Sequence, residues 1–284
     1  MLKKSNLFES LNEFLPFIKC LYGRIIVIKY GGAAMKESNL KQEVINNIIF
    51  LHSLGVKVVL VHGGGPIINS WLEKLNIAPK FENGVRVTDS KTMEIVEMVL
   101  VGQVNKDLVN LFNKENVMAV GLSGKDAKLI VASQLSLHSD NLVGKVNTVN
   151  IQILNLLLNS NYIPIIASVA SDQNGSTYNI NADTVAASIA QVLQADKLIL
   201  LTDTPGVMLD INNPQSLQRT LTIEQVNDLR NKGIIAGGMI PKVDCCIKAL
   251  NSNVKSTHII DGRVKNSLLI ELCTNERLGT QIII

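Results

Sequence analysis

Two apolar runs, each ending in glycines, leave this chain few architectures to fold into. Ile25–Tyr30 is β-branched until Lys29 and stops at Gly31-Gly32. Residues 56–61 form a second such run and stop at His62-Gly63-Gly64-Gly65, with Pro66 behind. Runs this apolar are buried on both faces, as in a parallel sheet covered by helices. Between them, residues 40–54 read as a helix closed by Gly55, where a left-handed residue ends the last turn. Pro66 suits the start of a further helix, where its missing N–H costs little. Strand, helix, strand, glycine turn, helix is a βαβ pattern.

The rest of the chain extends it. Residues 91–113 read as one long helix, 117–120 as a strand before GLSGKD, and 128–133 with Val143–Val149 as short strands or a hairpin flap. Residues 151–158 are helical and 163–169 a buried strand. The second half repeats the layout: helix 182–193, strand Lys197–Thr202, turn Asp203-Thr204-Pro205-Gly206, helix 221–232 stopped by Gly233, helix 241–250, strand 257–261, helix 267–272 and strand 281–284. No linker rich in Pro, Gly or Ser interrupts the 284 residues, so two lobes on one continuous sheet are expected. The hydrophobic content of 46% with only 4% aromatics fits a core of Ile, Val and Leu. Residues 1–22 stand apart. Leu7, Leu11, Phe14, Leu15, Ile18 and Leu21 recur at helical spacing, with Pro16 set to kink the helix. This stripe packs either on its own domain or on another subunit.

Other features narrow the function by exclusion. A net charge of +3 without a basic run or aromatic-basic interleaving argues against nucleic acid. No stretch reaches the ~18–20 apolar residues of a membrane span. Cys20, Cys245, Cys246 and Cys273 lack metal or redox spacing and read as free thiols in a reducing compartment. The N-terminus lacks the pattern of a signal or transit peptide. Heavy use of Asn, Ile and Lys points to an AT-rich genome, so the expected place is a bacterial cytoplasm or a plastid stroma.

Residues able to do chemistry lie where the runs end. Lys29 sits at the C-terminal end of a buried strand, where ligands of open α/β sheets bind, and lysines are rarely buried without a partner. Three glycines before a helix make an anion site from N–H groups and the helix dipole. His62 reads as a core histidine hydrogen-bonded to its neighbours. Arg86, in Asn83-Gly84-Val85-Arg86-Val87-Thr88, could bind a carboxylate bidentately. Asn179, Asn181 and Asp183 alternate into a helix start, where Asp183 could cap the helix and also hold two lysines. Lys242 follows a second glycine-rich stretch, AGGMIP. Together these suit phosphoryl transfer without a Walker A loop, since the transition state needs cations and N–H groups around spreading negative charge.

In combination, VIKYGG, VHGGGP, NGVRVT, VGQVNK, NINADTVA, LTDTPGV and GGMIPKV resemble the amino acid kinase family, and within it the acetylglutamate kinases, from about Leu7 to Ile284. The resemblance implies a three-layer αβα sandwich around a mainly parallel sheet. It divides the chain into an interface helix (1–22), a lobe for acetylglutamate and dimerisation (23–180) and a lobe for ATP and an arginine site (181–284). It implies transfer from ATP, with Mg2+ held by the phosphates, to the γ-carboxylate of N-acetyl-L-glutamate. Lys29 and Lys242 would stabilise the moving phosphoryl group and Asp183 would organise them. Gly64, Gly65, Arg86 and Asn179 would bind acetylglutamate, and Gly31, Gly32, Thr202, Asp203 and Gly206 the nucleotide. The N-terminal helix resembles that of the arginine-inhibited branch, a hexamer built as a trimer of dimers. There Tyr22, His258, Glu271 and Gly279 would contact L-arginine, although the usual G-x-G-T reads Arg277-Leu278-Gly279-Thr280 here. In some photosynthetic organisms the family also binds the signalling protein PII. The competing readings are another amino acid kinase, acting on aspartate, glutamate, carbamate or a nucleoside monophosphate, and a non-catalytic small-molecule sensor.

Overall fold

The computed structural model describes residues 4–35, 37–82, 85–135 and 140–284. Helix α1 (Lys4–Leu21) precedes β1 (Ile25–Tyr30), α2 (Ser38–Ser53), β2 (Lys57–His62) and α3 (Gly65–Lys74). A two-strand ribbon, β3 (Phe81–Glu82) and β4 (Val85–Arg86), leads into α4 (Ser90–Glu97), a π-helical segment (Met98–Val104) and α5 (Asn105–Lys114). Next come β5 (Ala119–Ser123), β6 (Ile130–Gln134), β7 (Val143–Val149), α6 (Gln152–Asn159), β8 (Ile163–Ala167), β9 (Val169–Ser171) and β10 (Thr177–Ile180). The remainder of the chain holds α7 (Ala182–Val192), β11 (Lys197–Thr202), β12 (Thr220–Thr222), α8 (Ile223–Asn231), α9 (Met239–Leu250), β13 (Ser256–Asp261), α10 (Ser267–Cys273) and β14 (Thr280–Ile283).

One eight-stranded sheet, in the order β12-β14-β13-β11-β1-β2-β8-β5, runs through both halves of the chain. Every pairing in it is parallel except β13 with β14. The two halves of the chain meet where β1 pairs with β11, Lys29 opposite Leu200. Side chains alternate across the sheet, which gives two cores. Val27, Val59 and Leu200 turn toward Val185 and Ile189 of α7 and Val243 of α9. Ile26, Ile28, Leu60 and Ile199 turn toward Ile45 of α2, Phe112 of α5 and Leu268 of α10. Burying each such side chain stabilises the fold by about 1.5–3 kcal/mol.

The structure departs from the sequence reading in particular places. The long helix of residues 91–113 contains the π-helical segment. Val169 leaves the main sheet, and β6, β7, β9 and β10 close into a small sheet of their own in place of a flap. Leu221 and Thr222 are strand, because β12 pairs with β14; the helix begins only at Ile223, where Thr222 and Gln225 form a capping box. Helix α1 continues through Pro16 to the buried Leu21, and Phe14 packs on Phe50 of α2. The described end of its apolar stripe therefore packs on its own domain, while Leu15 stays 44% exposed. The side chains of Leu7 and Leu11 lie outside the described residues, as do Asn83 and Gly84.

Candidate active site

Three charged groups from separate elements converge at the C-terminal end of β1. Lys29 shares the face of Val27, beneath α7, because it lies two residues along the strand. Asp183 is the second residue of α7 and Lys242 the fourth of α9. The Lys29 ammonium lies 3.0 Å from Asp183 Oδ1, an ion pair out of line for a hydrogen bond, and Lys242 Nζ donates to Oδ2 at 2.9 Å. Asp183 is 5% and Lys29 9% exposed. Burial pushes the Asp183 carboxyl up, but the two ammonium groups overcome that and hold it below the usual carboxylate range. One anion between two cations leaves a net positive charge, and the N-termini of α7 and α9 add to it. Gly31 leaves room for this, since a Cβ there would stand 2.9 Å from Lys29 Nζ. Asp183 does not cap α7. That role falls to Asn181, whose side chain accepts from the N–H groups of Asp183 and Thr184, so the Asp183 carboxylate is free for the lysines.

The glycine turn lies beside this cluster, between β2 and α3. Among the described residues, no protein group accepts from the N–H of Gly64 or Gly65. A Cβ on Gly65 would meet open space, whereas one on Gly64 would stand 2.5 Å from Leu100 Cδ2. Arg86 is buried next to the turn. Its Nη2 donates to Asn69 Oδ1 and, at 3.4 Å, to the Gly65 carbonyl, and its guanidinium lies 4.8 Å from the Phe81 ring. Among the described residues Nη1 is buried without a partner, a costly state that an anionic ligand would relieve. Thr88 Oγ1 donates to the Arg86 carbonyl at 3.0 Å and accepts from Asn179 Nδ2 at 3.2 Å. Gly65, Arg86, Thr88 and Asn179 thus form one hydrogen-bonded chain.

His62 is fully buried, as a core histidine should be. Burial pushes its ring down to about 4, against an ordinary 6.5. The unfolded chain takes up a proton below about 6.5 while the folded ring stays neutral. The stability this group contributes is therefore complete above pH 6.5 and is lost as the pH falls toward 4, a loss of about 3 kcal/mol. Denaturant titrations at pH 7 and pH 4.5 should show His62→Gln losing less stability on acidification than the parent; equal losses would refute the assignment.

A cavity of about 710 Å³ is lined by Lys242 together with Asp203, Gly206, Met208, Ile234 and Met239 among others. Thr202 is buried behind it and donates to Asp203 Oδ1 at 3.3 Å. Gly206 has a φ of +143° and packs on Thr280, so no side chain fits. Gly32, with φ +74°, faces the Asp203 carboxyl. The buried hydroxyl of Thr204, also in the lining, has no partner among the described residues.

The remaining candidates lie elsewhere. Tyr22 is 72% exposed, its ring crossing Gly55. His258 and Glu271 are fully buried and hydrogen-bonded at 2.9 Å. The other Glu271 oxygen accepts from the N–H groups of Leu278 and Gly279, and Arg277 Nη1 donates to the Glu271 carbonyl. The chain itself thus satisfies the Glu271 carboxylate, and a guanidinium ligand would have to displace these contacts.

The model of the amino acid kinase family covers residues 24–261. The acetylglutamate kinase of Gracilaria tenuistipitata var. liui is 58% identical over 285 residues, all of both chains. That of Trichodesmium erythraeum is 52% identical over 275 residues, 97% of this chain and 94% of its own. The chain belongs to the amino acid kinase family, in its acetylglutamate kinase branch. Solved structures agree on the fold. Giardia carbamate kinase superposes with a TM-score of 0.67 at 19% identity, over 92% of this kinase and 99% of that chain. N-acetylglutamate synthase from Neisseria gonorrhoeae gives 0.85 at 23% identity, over 98% of this kinase but only 63% of that longer chain. The family match takes in Lys29, Asp183 and Lys242 and leaves out α1, Glu271 and Gly279.

Sequence reasoning passed over Asn69, Thr88 and Thr204 in this kinase. Thr88 carried a signal, because it alternates with Arg86 along an extended segment. Asn69 and Thr204 carried none, since polar residues in a helix and a turn are commonplace.

Proposed function

We propose that this kinase transfers the γ-phosphoryl group of ATP to the γ-carboxylate of N-acetyl-L-glutamate, forming an acyl phosphate and ADP in arginine biosynthesis. The observation that carries the reading is the pair of lysines, one from each half of the chain, on the single carboxylate of Asp183, with Lys242 also lining the 710 Å³ cavity. In this mechanism ATP enters the cavity, with Gly31, Gly32, Thr202, Asp203 and Gly206 around its phosphates. Acetylglutamate lies along the chain of Gly64, Gly65, Arg86 and Asn179. Arg86 Nη1 takes a substrate carboxylate and Asn179 the acetamido group. As the phosphoryl group crosses, Lys29 and Lys242 follow its charge and Asp183 keeps them apart and aimed. In this scheme Mg2+ would be carried on the ATP phosphates. Trapping the product with hydroxylamine tests the reading: a folded sample that yields no hydroxamate above background from acetylglutamate and MgATP would exclude it.

Arg86→Lys should raise the KM for acetylglutamate about tenfold or more and leave that for ATP nearly unchanged, because lysine keeps the charge but loses the fork. Steady-state kinetics with each substrate varied would show it. A raised ATP constant beside a normal acetylglutamate constant would place Arg86 elsewhere.

The finer reading includes feedback by L-arginine and a hexamer assembled through α1. Supporting it are the exposed Leu15 on α1 and the contacts of α1 with α10, the helix that carries Glu271. Deletion of residues 1–17, which spares the buried Leu21, should leave active dimers with a blunted arginine response. A deletion variant that remains hexameric by light scattering and fully arginine-sensitive would refute this role. The likeness to red algal and cyanobacterial relatives, with the AT-rich composition, supports work in a plastid stroma or a bacterial cytoplasm.

A further inference from the structure

Neither His62 nor the π-helical segment takes part in the chemistry above, yet both press on the glycine turn. Asn105 is fully buried, and its Nδ2 lies within hydrogen-bond distance of His62 Nε2 (3.0 Å), the Ile165 carbonyl (2.9 Å) and the Leu122 carbonyl (3.3 Å). An amide nitrogen can only donate. His62 Nε2 therefore accepts, which puts the ring proton on Nδ1, and Nδ1–H donates to the Gly63 carbonyl at 2.9 Å. The amide cannot be turned over, because Lys106 Nζ already donates to its Oδ1. One side chain thus ties together the ends of β2, β5 and β8, and through His62 it fixes the carbonyl of the first glycine in the turn. Gly121 on β5 leaves the space, since a Cβ there would stand 1.9 Å from Asn105 Oδ1.

The π-helical segment adds a second contact. The Asn105 N–H donates to the Leu100 carbonyl, five residues back. At α-helical pitch, five residues would set Asn105 about 140° around the axis from Leu100. The wider π turn brings the two onto one side. Leu100 and Val104 then lie against Gly64, 2.5 and 3.4 Å from where its Cβ would be, while Asn105 holds His62 two residues earlier.

We propose that the π-helical segment, through Leu100 and the Asn105–His62 pair, positions the Gly64 and Gly65 N–H groups for the acetylglutamate carboxylate. His62, Asn105 and Leu100 are positioning residues: none touches substrate, and each acts through the turn. The proposal rests on the reading that acetylglutamate binds at this turn.

Kinetics of the full-length enzyme test it, with the parent first shown to turn over acetylglutamate. If the parent does not, the functional reading fails before this one is reached. Asn105→Leu should raise the KM for acetylglutamate about ten- to a hundredfold, the scale of an ångström of misplacement, and keep that for ATP within about twofold. His62→Gln, whose amide oxygen can still accept from Asn105, should be milder than His62→Leu. Gly64→Ala should also weaken acetylglutamate, and adding Leu100→Ala, which removes the atom the new Cβ meets, should recover part of the loss. An unchanged acetylglutamate constant in Asn105→Leu, or equal rises for both substrates, would overturn the proposal. If Asn105→Leu does not fold, the Gly64 and Leu100 pair decides, and absence of recovery in the double variant overturns it.

Discussion

Replacing Lys29 or Lys242 by Met should lower turnover about 10²- to 10³-fold, the usual cost of losing one group that meets charge developing in the transition state. Each lysine lies within 3.0 Å of Asp183, in a site lined by two helix N-termini, so its ammonium is already aimed before substrate arrives. The fold should survive either change, because Asp183 keeps one cation. The double replacement should cost less than the product of the two single losses, since one carboxylate positions both lysines around the same phosphoryl group. Single-turnover measurements with thermal melts as controls would separate chemistry from folding. A variant within about threefold of the parent would remove that lysine from the phosphoryl group's path.

Asp183→Ala should destabilise the protein by about 3–5 kcal/mol, the range for breaking a buried ion pair from one side. Here two cations lose their counter-charge at once, Lys29 in the core at 9% exposure. Denaturant unfolding would read the loss. MgATP or inorganic phosphate should restore part of it, because an anion that binds only the folded state stabilises by mass action. Acid should act in the same direction in the parent. The Asp183 value is held below its ordinary 3.8, so its contribution is full above that pH and is lost as the pH falls further. A loss below about 1 kcal/mol in Asp183→Ala would mean that the lysines repel less than their separation requires.

The chain by itself determined the sheet and the ends of its strands. Ile25–Tyr30 and Lys197–Thr202 form strands over the spans their apolar runs mark, because such runs are stable only when both faces are covered. Gly55 and Gly233 end helices with φ of +83° and +72°, conformations available locally and cheap only for glycine. Lys29, the HGGG turn and Asp183 were legible for the same reason: a charge or a run of glycines at the end of a buried strand or the start of a helix has few roles open to it. Tertiary structure decided what depends on partners distant in sequence. The residue capping α7 is Asn181 and not Asp183, because two lysines 154 and 59 positions away claim the carboxylate. Helix 91–113 widens into a π turn where Leu100 and Asn105 must both meet the glycine turn, and helical periodicity carries no record of that demand. Thr222 joins a strand because β14, from the end of the chain, lies beside it. Local spacing fixes which residues form an element and which face is apolar. The direction of a polar side chain is fixed by the energy of leaving it unpaired in the finished core, and that energy exists only once the distant partners are in place.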